Sequence, residues 1–205
     1  MTTSTAGDSP RWAADFWLDP ACPLTRVTAR WLVTVADEIP LDIRWRVMSL
    51  SILNEGKDVD PEGDEDGFLW IPARIAAAVQ TGHGHAALGE FHTALWTDPD
   101  GTDREWFGDI ADALRRCDLP ESLVESGFST GYDAELRASH EEGVSRIQAE
   151  VGTPILSITT PEGARHTAFG PVITAVPDGT GALDLWHATL RLAALPEFRE
   201  LKIGR

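Results

Sequence analysis

The hydrophobic period changes twice along this chain, and that change restricts its fold more than any single motif. In Leu41–Leu53 (LDIRWRVMSLSIL), Ile43, Trp45 and Val47 alternate with Asp42, Arg44 and Arg46, the period of two expected of a half-buried strand. Beyond a polar break, Phe68–Gln80, His85–Trp96, Glu105–Cys117 and Tyr132–Glu150 repeat apolar residues at i, i+3 and i+4, which predicts a block of helices. After Gly152 the strand signal returns in Ile155–Thr159 and Arg165–Phe169, joined by a turn at Pro161–Gly163, and this reads as a hairpin. Strands on both sides of a helical block imply one α/β unit interrupted by an insertion.

The ends of the chain complete the order. Asp15–Asp19 (DFWLD) is an aromatic-rich run stopped by Pro20, which suits a strand whose ladder cannot continue. From Pro23 and Leu24 onward, Val27, Trp31, Leu32 and Val35 recur at helical spacing up to Ile39 and Pro40, giving helix one. Thr180–Leu195 places Leu183, Trp186, Leu190 and Ala194 on one face of a last helix. The expected order is therefore β-α-β, helical block, β-β-α. Residues 1–13 are expected as a flexible polar tail, 14–55 and 151–205 as the α/β domain, and 56–150 as the helical insertion.

Charge narrows the function classes. The 205 residues carry 17 Lys and Arg against 33 Asp and Glu, a formal net charge of −16. Such a surface opposes phosphate-backbone binding, so a nucleic-acid partner is not expected. The N-terminus has no basic segment followed by an apolar one, and no run reaches about 18 apolar residues, so the expectation is a soluble, cytoplasmic protein without a membrane partner. Glu55–Gly67 holds seven acids and lacks calcium-loop spacing, and it reads as a solvated surface loop.

Two cysteines make no disulfide framework. With helix one opening at Pro23, Cys22 stands at its N-cap and Pro23 at the first helical position, where a missing N–H costs nothing. The N–H groups of Leu24 and Thr25 and the positive end of the helix dipole favour an anion there by up to about 2 kcal/mol, so a depressed thiol pKa is expected. Thr25, one turn on, can donate its hydroxyl to the sulfur but cannot resolve a mixed disulfide as a second cysteine would. Cys117 closes a helix C-terminus, where the dipole disfavours thiolate, and reads as packing.

Three stretches, DFWLDPACP at 15–23, VMSLSILNE at 47–55, and VGTPI at 151–155 followed by FGPV at 169–172, resemble the DsbA-like thioredoxin-fold family. Within it the chain is most similar to the actinobacterial mycothiol-dependent nitroreductases. The resemblance implies a thioredoxin fold with an all-helical insertion over the site, and Cys22 as nucleophile. It also implies a cis Thr153–Pro154 peptide beside Cys22, with the backbone of Thr153 open to an extended thiol substrate. Pro23, Leu24, Thr153 and Pro154 are then substrate-binding residues, with a low-molecular-weight thiol such as mycothiol as co-substrate. Redox members of the family carry Cys-Pro-x-Cys; Cys22-Pro23-Leu24-Thr25 has threonine at the second cysteine's place. Kappa-class glutathione transferases and 2-hydroxychromene-2-carboxylate isomerases are similar in architecture and carry serine at the first.

Three functions remain open on these residues. The first is a monothiol DsbA-type oxidoreductase in which a second small thiol releases Cys22. The second is a cis–trans double-bond isomerase working by reversible thiolate addition, and the third is a non-catalytic binding protein on the same scaffold. Trp17 and Trp70 are candidate walls of an aromatic or conjugated substrate's pocket. His83, His85 and His92 lack a convincing ligand spacing, so no metal is expected, and His140, His166 and His187 carry no assigned role. Gly127–Gly131 (GFSTG) matches a nucleophile elbow only formally, because a helix is expected before it. A homodimer is compatible with the sequence.

Overall fold

The computed structural model describes residues 11–147, 149–201 and 203. Its elements are β1 (Trp12–Leu18), α1 (Pro23–Glu38), β2 (Leu41–Val47), α2 (Leu50–Asn54), α3 (Trp70–Leu95), α4 (Ile110–Arg116), a 3-10 segment (Glu121–Phe128), α5 (Asp133–Val144), β3 (Ile155–Thr159), β4 (Arg165–Phe169) and α6 (Gly181–Ala193). The four strands form one sheet in the order β2-β1-β3-β4. Strand β1 runs parallel to β2, with Phe16 opposite Trp45, and antiparallel to β3, with Trp17 opposite Ile155. The hairpin β3–β4 is antiparallel. This is the expected β-α-β and β-β-α arrangement, with α1 as the crossover that parallel pairing of β1 and β2 requires.

The sheet has one core on each face. On one side Phe16, Leu18, Leu156 and Ile158 pack on Trp31, Leu32 and Val35 of α1 and Trp186 of α6. On the other, Trp17, Met48 and Ile155 form a smaller cluster, and Val47 joins the core of the helical block, built on Ile75, Val79, Leu88, Phe91, Leu95 and Trp96. Central strand β1 is buried on both faces at its C-terminal end, which holds the start of α1 in a rigid place.

Several boundaries differ from the sequence expectation, one through long-range contacts and others through local helix caps. Strand β1 begins at Trp12, within the expected tail, because the Trp12 N–H bonds the Pro40 carbonyl at 2.9 Å and its ring meets Trp186 edge-on at 5.8 Å. Residues 1–10 of that tail lie outside the described residues. Strand β2 ends at Val47, not Leu53: Ser49 accepts the Ile52 N–H through its hydroxyl and starts α2. The helix expected over Glu105–Cys117 forms only from Ile110, where the Asp109 carboxylate takes the Asp112 N–H at 2.7 Å. The run Tyr132–Glu150 is helical only over Asp133–Val144, and the segment from Glu121 is 3-10 rather than α-helical.

The two helices expected over 68–96 are present as α3, broken at Gly84 by φ 89° and ψ 179°, a conformation open to glycine. Five residues on, the ring of Trp45 leaves no room for a side chain at Gly89: a Cβ there would sit 2.3 Å from the indole. That close approach seats the helical block against β2.

Candidate active site at Cys22

Strand β1 delivers the chain to a tight turn in which the Cys22 N–H bonds the Asp19 carbonyl at 3.2 Å. Cys22 is extended, with φ −79° and ψ 117°, and its carbonyl accepts the Arg26 N–H at 3.2 Å, so it is the N-cap of α1 with Pro23 first in the helix, as expected. The side chain is half-buried, while Pro23 and Leu24 face solvent, Leu24 at 40%.

The electrostatic expectation is corrected. Burial raises the Cys22 thiol above its ordinary pKa; the Thr25 hydroxyl and the N–H groups of Thr25 and Leu24 pull it back, and the Asp19 carboxylate pushes it further up. These donors are too weakly placed for a capping hydrogen bond of the Cys22 side chain, and together they do not outweigh desolvation.

Beneath the thiol is a polar layer that the sequence only partly announced. Thr25 is fully buried, and its Oγ1 lies 3.0 Å from Oγ1 of Thr153, at a Thr153–Pro154 peptide that is cis. The Asp19 N–H donates to the same Thr153 oxygen at 3.2 Å. Gly170 N–H binds the Pro154 carbonyl, and the Thr28 hydroxyl binds that of Pro171, tying both proline loops to α1 and β3. Thus Cys22, Pro23, Thr25, Thr153 and Pro154 converge through one hydrogen-bonded set of elements.

Asp19, within the DFWLDPACP stretch, is the site residue that the sequence reading misses. It is fully buried, Oδ1 accepts the Ala21 N–H at 2.8 Å, and Oδ2 accepts the Leu50 N–H at 2.7 Å, so one carboxylate joins the Cys22 turn to the start of α2. Desolvation outweighs these hydrogen bonds and raises its pKa to about 6, with Glu62 and Asp64 adding to the rise. The sequence signal was an acid at the buried end of a strand, directly before Pro20. Those two neighbours also place the acidic loop close to the site. Asp60 holds the Asn54 amide and the Glu62 N–H, and Asp64 holds the N–H groups of Phe68 and Leu69.

The two tryptophans separate. Trp17 is wholly inside: its N–H bonds the Ser139 carbonyl at 2.8 Å and Arg46 and Arg146 stack over its ring, so it cannot line a pocket. Trp70 lines a cavity of about 450 Å³ with Ser51, Asn54 and the acidic loop, its ring facing Arg74 and Arg137. Cys117 lines another cavity with Trp45, Gly89 and Glu90, and burial raises its thiol. Cys22 lines neither. His85 contacts the Trp45 carbonyl, His140 accepts the Ser49 N–H, and no group of three or more His, Cys, Asp or Glu among the described residues could hold a metal. Ser129 of the GFSTG stretch is exposed and accepts the Gly131 N–H, with no strand before it.

No helix among the described residues is long and apolar enough to cross a membrane. Comparison with known proteins bears on the family and the fold. The uncharacterized protein Rv2286c of Mycobacterium tuberculosis is 30% identical over 198 residues, covering 92% of this chain and 80% of that one. Among solved structures, a protein described as a putative protein disulfide isomerase from Nitrosomonas europaea aligns with a TM-score of 0.52 at 13% identity, over 87% of this chain and 98% of the other. The thiol-disulfide exchange protein alpha-DsbA2 from Wolbachia pipientis aligns with a TM-score of 0.51 at 15% identity, over 91% and 84%. The fold is the DsbA-type thioredoxin fold with a helical insertion. The profile of the Rv2466c-like family, described as mycothiol-dependent nitroreductase Rv2466c, matches residues 21–203, and this chain belongs to that family.

Proposed function

We propose that this protein is a monothiol oxidoreductase that uses Cys22 with a low-molecular-weight thiol, mycothiol by the family's description. The observation that carries the reading is the hydroxyl pair beneath the sulfur, Thr25 and Thr153, where a dithiol enzyme would keep a second cysteine. Thr153 Oγ1 already accepts the Asp19 N–H, so its own proton is free to go to Thr25, and the Thr25 hydroxyl, which lowers the Cys22 pKa, is then free to donate to Sγ. That order gives the developing thiolate a donor that cannot itself form a disulfide.

The cycle balances with a second small thiol. Cys22 thiolate attacks one sulfur of a disulfide, forming a mixed disulfide and expelling the other half as thiolate. A small thiolate then attacks the outer sulfur, releasing Cys22 and leaving a new small disulfide. Because burial keeps Cys22 protonated at rest, the proton leaves to water or to the leaving thiolate as attack proceeds, and rate rises with pH. Leu24 is exposed in the first turn of α1, next to the half-buried Cys22, which supports contact with a small molecule at that turn.

The test is incubation with mycothiol disulfide followed by intact-mass analysis. A single mycothiol adduct that maps to Cys22, is cleared by free mycothiol, and vanishes in Cys22→Ser supports the proposal. Full turnover by Cys22→Ser refutes it. Turnover of a conjugated double bond with no thiol consumed and no adduct would assign the isomerase chemistry instead.

A further inference from the structure

The cavity of about 450 Å³ beside α2 holds polar groups that play no part at Cys22. Its walls are Ser51 and Asn54 of α2, Trp70 at the start of α3, and the acidic loop between the two helices. Ser51 and Asn54 stand three residues apart, on one face of α2, and that face turns to the cavity. Ser51 is only 7% exposed, and the chain supplies its Oγ with no hydrogen-bond partner. A buried hydroxyl left in this way is costly, and on the floor of a cavity it marks a place for a ligand's polar group.

The charge of the walls decides which group that is. Glu55 is neutralised by Arg137, but Asp58, Glu65 and Asp66 line the cavity with no ion-pair partner among the described residues. Lys57 is the one lysine or arginine in the wall, and its Nζ donates to Asn54 Oδ1 at 2.8 Å, so the polar end of the cavity already receives an ammonium. Among the described residues no three of the acids could together hold a metal ion, and the volume is that of a small-molecule site. Dispersed carboxylates, a buried acceptor and the apolar ring of Trp70 match an occupant that spreads its positive charge along a carbon chain.

We infer that this cavity binds an organic cation of the diamine or polyamine class. One ammonium donates to Ser51 Oγ, a second lies among the carboxylates of Asp58, Glu65 and Asp66, and the methylene carbons between them pack on Trp70. The site is separate from the thiol, because Cys22 does not line the cavity. It adjoins the Cys22 turn only through α2, where the Leu50 N–H next to Ser51 is held by Asp19.

Titration calorimetry with 1,4-diaminobutane at low ionic strength, where exposed charges are least screened, tests the site. The diamine should bind saturably, and 1,4-butanediol, of similar length and without charge, should not. Ser51→Ala should weaken the diamine about fivefold, the worth of one hydrogen bond. Asp58→Asn/Asp66→Asn should weaken it about tenfold. Glu162→Gln/Glu197→Gln removes the same charge from exposed positions outside the cavity and should change the affinity less than about twofold. Absence of saturable heat or an unchanged affinity in Ser51→Ala overturns the site. Equal losses in the two double variants also overturn it, since they would show diffuse attraction to the net charge of −16. None of these readouts involves Cys22, so they decide the site whichever chemistry the thiol performs.

Discussion

Replacing Asp19 by asparagine separates what its charge costs from what its hydrogen bonds contribute. Burial raises the carboxyl from 3.8 to about 6, a folded-state value above the unfolded one. Stability from the protonated form is thus full below the unfolded pKa and is lost as pH rises through about 6. At about 1.4 kcal/mol per pKa unit, the complete loss is about 3 kcal/mol, and about half of it falls between pH 5 and 8. Asparagine does not ionise, but its single carbonyl can accept only one of the Ala21 and Leu50 N–H groups, and its NH2 faces the other, which costs about 1–3 kcal/mol at every pH. Urea unfolding from pH 5 to 8 should therefore show the variant gaining about 1.5 kcal/mol on the wild type as pH rises. The Cys22 thiol titrates above this window, and histidine contributions cancel in the difference between the two proteins. The variant's Cys22 should also alkylate at lower pH, since Asp19 opposes the thiolate. A stability difference that stays flat across the window would refute the assignment of a raised Asp19.

Three further outcomes follow from particular contacts. Thr25→Val removes the hydroxyl that pulls the Cys22 pKa down and leaves Thr153 without its partner, so the alkylation midpoint should move to higher pH at a stability cost of about 1 kcal/mol; an unmoved midpoint counts against the hydroxyl pair. Burial holds His92 neutral with a pKa of about 4, below its ordinary 6.5, so its contribution is intact above pH 6.5 and is lost as pH falls toward 4, by up to about 3 kcal/mol. His92→Gln should flatten that acid limb, and an equally steep limb in the variant would show that other groups cause it. Gly89→Ala drives a methyl group into the Trp45 indole and should destabilise by about 1–3 kcal/mol in thermal or urea unfolding, without moving the Cys22 alkylation midpoint.

Local chemistry was enough to determine the order of the strands and the place of the candidate nucleophile at the start of α1. Side-chain period depends only on neighbours along the chain, so the alternation through Ile43, Trp45 and Val47 and the helical spacing of Val27, Trp31 and Val35 were legible directly. Cys22 before Pro23 likewise marks a helix start, and Thr25 falls one turn on by helix geometry alone. The tertiary structure decided what depends on distant residues. Whether Cys22 is acidic or basic for a thiol is a contest between local dipoles and desolvation, and desolvation is set by how β1, α1 and the Thr153 loop close over it. Trp17 and Trp70 look alike as isolated aromatics, yet one is sealed behind Ser139 and Gly143 and the other borders the acidic loop. Asp19 acquires its character in the same way: its carboxylate is hydrogen-bonded on both oxygens, yet packing removes enough water to raise its pKa.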